Sequence, residues 1–405
     1  GDLRTGDFDA QLTFDGTETA VYFKALGRPD LHGTLTGQVQ ASGNIRDAAN
    51  ISGQVELSDL DLFFKSVPLV QSDGIVLEMA GRQVAITEFD ATILSEGHLR
   101  LSGEAGLGGR SDLAVDGRIP LSAVSRFSDA FIDAEGVFSL VGTISGPTQD
   151  PQVDLRIDME KIGMPLPGLV QRLRDLNGSI HVTSQRIRID QVAGFLDTGR
   201  FSLMGPVDHE RFEPIGVDLE IDARSLPIEV PDTLAVLFNA DLRVRGRDRA
   251  ATASGEIVLL EGLYYKDIRA NLLQLASTAT TRRRSVAPAT QPLDIPYFDT
   301  VDLNIDIQAR QPFTVDNNLA QMEVSPDLRI RGTLARPVIS GRAQVRSGTV
   351  TFQKRDFTIN RGVIDFVNPF RTEAEIDIES EAVIRNWTIT LVLKGALDNL
   401  EIQLT

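Results

Sequence analysis

The sequence predicts an all-β chain of repeated antiparallel meander units, extended along one direction. Three observations carry this. Apolar and polar residues alternate with a period of two over many segments, so each strand has one greasy and one wet face. Gly, Asn, Asp and Pro fall between the segments, and the chain holds 34 Gly and 18 Pro. Helix-period segments are few and short.

In chain order, alternation is clear in residues 153–159 (VDLRIDM), 217–223 (VDLEIDA), 301–309 (VDLNIDIQA), 374–379 (AEIDIE) and 387–391 (WTITL). Residues 121–131 (LSAVSRFSDAF) and 167–176 (PGLVQRLRDL) are weakly amphipathic at helical spacing, each about three turns at most. Arg361-Gly362, Asn177-Gly178 and Gly108-Gly109 are read as turns. Residues 276–296 lack periodicity, are rich in Ser, Thr, Ala and Pro, and carry Arg282, Arg283 and Arg284 in a row. They read as a disordered loop. The expected organisation is a repeated β-groove segment over 1–275, that loop over 276–296, and a second, C-terminal β-groove segment over 297–405.

Repeats support one extended sheet. A strand, a tight corner and a returning strand recur around Gly43, Gly146, Gly246, Gly332 and Gly395. Residues 96–103 (EGHLRLSG) match residues 198–205 (TGRFSLMG), a period near one hundred.

Composition excludes several functions. The net charge is −17, which disfavours nucleic acid as a partner. Without cysteine there are no disulfides, thiolate nucleophiles or Cys-based zinc sites. No apolar run is long enough to span a bilayer as a helix. The four histidines form no HExxH pair, and no nucleophile elbow or phosphate-binding loop is present, so no catalytic, metal or cofactor site is expected. The chain begins at Gly1 and ends while still alternating, so it reads as part of a longer protein, with any anchor outside it.

A sheet with one apolar face must bury it. A second sheet, closure into a barrel, covering helices and a foreign apolar ligand are the four solutions. Helices are too few, and one Trp and four Tyr are sparse for a sandwich core. Periodicity leaves the choice open.

The last seventy residues carry a resemblance. Residues 341–352 (GRAQVRSGTVTF), 357–369 (FTINRGVIDFVNP) and 387–395 (WTITLVLKG) resemble the C-terminal region of the TamB family, within the AsmA-like, bridge-like lipid-transfer superfamily. Two departures exist: Asn399 and Leu400 stand where the family usually has Pro, and its tail beyond Thr405 is absent. The resemblance implies an elongated, twisted, taco-like β-sheet around a hydrophobic groove. It implies a Gram-negative periplasmic location, with an inner-membrane anchor outside this sequence and an outer-membrane Omp85-family barrel of the TamA type as partner. The implied function is movement of phospholipid acyl chains along the groove between the membranes. The alternative is a chaperone-like scaffold for outer-membrane protein assembly.

Candidate groove residues are the apolar members of the matching strands. They are Val301, Leu303, Ile305 and Ile307; Leu328 and Ile330; Val350 and Phe352; Phe357, Ile359, Ile364 and Phe366; Ile376 and Ile378; and Trp387, Ile389, Leu391 and Leu393. Plain core packing is the competing reading of the same side chains. A charge at Ile305 or Leu391 separates the two, being tolerated beside lipid and costly in a dry core.

Overall fold

Alternation of the kind just described resolves, in a computed structural model, into 23 strands and two short helices among the described residues. The structure describes residues 5–405 except 26, 29, 107–108, 125–132, 167–169, 212, 249, 268–299 and 397–398. The expected loop at 276–296 therefore lies outside the described residues. The chain divides into two compact units, 1–167 with 173–194 and 208–213, and 168–172 with 195–207 and 214–405.

In the first unit, nine strands follow one another as an antiparallel meander. They are β1 (Asp7–Glu18), β2 (Leu31–Asn44), β3 (Asp47–Phe64), β4 (Val67–Ala80), β5 (Gln83–Ile93), β6 (Gly97–Gly106), β7 (Arg110–Pro120), β8 (Glu135–Pro147) and β9 (Gln152–Pro165). Helix α1 (Ala20–Ala25) interrupts β1 and β2, and the single turn α2 (Leu121–Val124) follows β7. Strands β10 (Arg172–Thr183), β11 (Arg186–Leu196) and β12 (Gly199–Glu210) come next, and the division between units falls among them.

The second unit holds β13 (Glu213–Val230), β14 (Leu234–Arg247), β15 (Ala250–Tyr264), β16 (Val301–Ala309), β17 (Phe313–Asp316), β18 (Ala320–Gly332), β19 (Pro337–Phe352), β20 (Arg355–Phe366), β21 (Glu375–Ile384), β22 (Trp387–Ala396) and β23 (Asn399–Leu404). Pairing is antiparallel between neighbours, with one exception. β15 runs parallel to β16 and β17, so β16 starts at the same end as β15.

The five recurring corners fall between paired antiparallel strands: β2–β3, β8–β9, β14–β15, β18–β19 and β22–β23. The 96–103 and 198–205 match is physical as well. Gly103 and Gly205 have φ of +117° and +129°. A Cβ at either would run into the carbonyl oxygen of an Asp preceding a Leu on the next strand, Asp112–Leu113 or Asp218–Leu219. Only glycine lets the backbones approach this closely.

Three local expectations are corrected. Asn177-Gly178 lies inside β10 and Arg361-Gly362 inside β20, so neither is a turn. The helix expected over 167–176 gives way to strand from Arg172. Asp175 has φ +47°, and one left-handed residue in a strand shifts its parity. Leu173 and Leu176 thus pack against one cluster at the i, i+3 spacing that imitates a helix. Of the 121–131 segment, only 121–124 is helical among the described residues.

Candidate functional site

Register decides what the alternation builds. In the first unit, Val39 pairs with Val55, Val55 with Leu77, and Met79 with Val84. Leu101 pairs with Val115, Gly117 with Leu140, and Leu140 with Ile157. Directly paired residues share a face, so one continuous apolar face runs from β1 through β9. In the second unit the same logic links Leu219 to Val244, Val244 to Ala253, Ala253 to Leu303, and Ile305 to Ile330. It continues from Ala320 to Val350, Val350 to Phe357, Ile364 to Ile376, Ile378 to Leu393, and Leu393 to Ile402.

All eighteen candidate residues fall on this second-unit face. They are not equally accessible. Val301, Leu303, Ile305 and Ile330 join one cluster with Ala253 and Leu242. Val350, Phe352, Phe357, Ile359, Ile364, Ile376, Ile378, Ile389, Leu391 and Leu393 join another that draws in Phe313 of β17 and Ile402 of β23. Ile307, Leu328, Phe366 and Trp387 are outside both. On an open single layer a side chain keeps its outer end in water. Leu391 is 0% exposed, Ile378 2% and Phe357 3%. The second unit's face therefore curls onto itself over β17–β23, and protein covers those residues. Trp387 stands apart at 76% exposed.

The first unit solves the burial problem differently. Over β9–β11 its face is capped locally: Leu121 of α2 is buried with Met159, Ile162 and Val192. Over β2–β8, Val39, Val55, Leu77, Leu101, Val115 and Leu140 are only half-buried. Sequence reasoning read a groove over 1–275 as well but named candidate residues only in the family-matching strands, although the same period of two marks this stretch.

The opposite face is wet and carries ion pairs between neighbouring strands. Arg243 donates to Asp218 at 2.8 Å and pairs with Glu220 at 2.9 Å. Arg342 donates to Asp365 at 2.6 Å, and Arg329 pairs with Asp306. Asp377, in the acidic row of β21, meets Arg361 at 3.7 Å and Lys394 at 3.9 Å from the strands on either side. Hydrogen bonding from Arg243 holds the Asp218 carboxyl below the usual aspartate range, against the opposing effect of desolvation. An open polar depression of about 500 Å3, lined by Gln40, Gln54, Glu78 and Glu104, lies on this side of the first unit. It offers nothing to a hydrocarbon chain.

Among the described residues no helix is long and apolar enough to cross a membrane. A model of the TamB C-terminal domain family matches residues 190–405. No curated protein and no solved structure matches the chain. The match takes in more than half of the sequence and the whole of the face from β13 to β23, so the chain belongs to the TamB C-terminal domain family of cell-envelope proteins.

Proposed function

We propose that this chain carries phospholipid by its acyl chains along the apolar face, without catalysis, as a periplasmic segment between inner and outer membranes. The observation that supports the reading is the half-buried apolar face of β2–β8. The register makes it continuous, and the described residues leave it partly open. Burial stabilises an acyl chain by about 0.8 kcal/mol per methylene, so a sixteen-carbon tail gains on the order of 12 kcal/mol when fully covered. A half-open face supplies part of this, which keeps a tail out of water and still lets it move on. An inner-membrane anchor outside this sequence and an Omp85-family barrel at the outer membrane complete the proposed route.

Burial also supports a location for the proposed guest. The face of β17–β23 is filled by its own side chains, so we place the acyl chain on β2–β8 and not against Leu391 or Ile378. A photo-crosslinking residue at Val115 should give lipid adducts, identified by mass spectrometry, and one at the exposed Asp116 on the wet face should give none. Protein adducts without lipid at Val115 would sink the reading and favour a scaffold for outer-membrane proteins. Val115→Asp should fold and lose co-purified lipid.

A further inference from the structure

We propose that two adjacent hairpin tips of the second unit, β19–β20 and β21–β22, form a lip that touches an anionic lipid bilayer surface. The proposal concerns surface contact and stands apart from acyl-chain carriage.

Register places the tips side by side. Thr358 pairs with Glu381, and both strands run on for three residues, to Arg355 and Ile384. Adjacent strands are about 4.8 Å apart. The β19–β20 turn is made by Gln353 and Lys354, both with positive φ, the signature of a tight two-residue hairpin. Arg385, φ +58°, shapes the other turn.

The chemistry at these tips differs from the rest of the unit. Trp387 is the chain's one Trp and is 76% exposed, and Val383 is 75% exposed. Val383 pairs with Thr388, whereas Trp387 lies on the parity of Ile389 and Leu391, so the tip is greasy on both faces. A tip of that kind inserts end-on between headgroups. Lys354, Arg355 and Arg385 are exposed, and among the described residues none has an ion-pair partner. Arg243, Arg329 and Arg342 of the wet face, by contrast, are neutralised across strands. The nearby Asp356 accepts a hydrogen bond from the Thr351 hydroxyl, and Glu381 is half-buried.

The opposite rim also has exposed Val367 and Phe370, with exposed Arg331 at the end of β18, but it has no Trp. Arg371 there sits 3.8 Å from Glu373, which also accepts from Asn368. Charge then orients the approach. A chain of net charge −17 is repelled by an anionic surface everywhere except where uncompensated cations lead. Trp beside Lys and Arg is the pairing that suits the headgroup layer.

The single Trp makes the test direct. The full chain is mixed with phosphatidylglycerol-containing vesicles or with phosphatidylcholine vesicles, and both flotation and Trp387 emission are read. The expected result is flotation with the anionic vesicles only, with a blue-shifted emission shielded from iodide. Combined Lys354→Gln, Arg355→Gln and Arg385→Gln should weaken partitioning roughly a hundred-fold, at about fivefold per cation. Arg371→Glu, on the other rim, should leave it unchanged. These side chains are exposed, and unchanged circular dichroism verifies folding. Equal binding to neutral vesicles, flotation with no Trp shift, or full binding by the triple variant each overturns the proposal. A Trp shift with envelope protein but not with lipid also overturns it and assigns a protein partner. Lipid crosslinking at Val115 is unaffected by any of these outcomes, so the two proposals fail separately.

Discussion

Asp218 shows how single residues tune this sheet. Its carboxylate accepts from Arg243 at 2.8 Å and from Arg245 at 3.2 Å. Its folded pKa therefore lies below the ordinary 3.8. A depressed carboxyl contributes stability above its unfolded value and loses it as pH falls through the folded value. The contribution is modest, because the site is solvated. The urea midpoint should fall as pH drops below about 4, and Arg243→Gln should flatten the part of that fall due to Asp218. An identical pH profile in the variant would show that the pair is not coupled to folding. Asp218 and Glu220 alternate with apolar residues in the sequence of β13, but their pairing with Arg243 is not visible there, because that arginine lies on the neighbouring strand β14.

At the scale of elements, bulges set the face. In β13 the inward residues are odd-numbered through Ala223 and even-numbered from Leu226, and the register shifts between them. Ser225, φ +49°, takes up the extra position, and its N–H donates to Asn239 Oδ1 at 2.8 Å. Without the bulge, Leu226, Ile228 and Val230 would turn to the wet side. Deleting Ser225 should abolish the cooperative thermal transition seen by circular dichroism, whereas Ser225→Gly should keep it, since glycine accepts that φ readily. A normal melt for the deletion would refute the parity argument. Bulges also explain the misread turns. The shift between Ile359 and Arg361 in β20 brings Gly362 inward, opposite Ile378, so the Arg-Gly pair marks a strand interior.

Across the whole molecule, the apolar face is dry in one place and half-open in another. Leu391→Ala should destabilise the chain by about 3 kcal/mol, from the 2–5 typical of a filled core position. Val115→Ala should cost under about 1.5 kcal/mol, because Val115 already meets solvent on the outer side. Hydrogen exchange checks the same contrast without a two-state assumption. Amides of β19–β22 should be the slowest, and those of β2–β5 should exchange faster. Uniform protection would mean the half-open face is as tightly held as the closed one.

Period-two alternation and its punctuation determined by themselves the all-β class, the meander order and the side of each strand that is greasy. Those properties are local: a strand's two faces follow from the geometry of its own backbone. The eighteen candidate residues were likewise legible as one set, and the register does place them on one face. What covers that face was decided only by tertiary structure. Leu391, Trp387 and Val115 all sit in alternating segments, yet they end as a sealed core residue, an exposed tip and a half-open wall. The difference comes from how far the sheet curls and where a single turn such as α2 comes to rest. Curl accumulates strand by strand from glycine contacts and bulges over many consecutive strands, and no short window along the chain contains it.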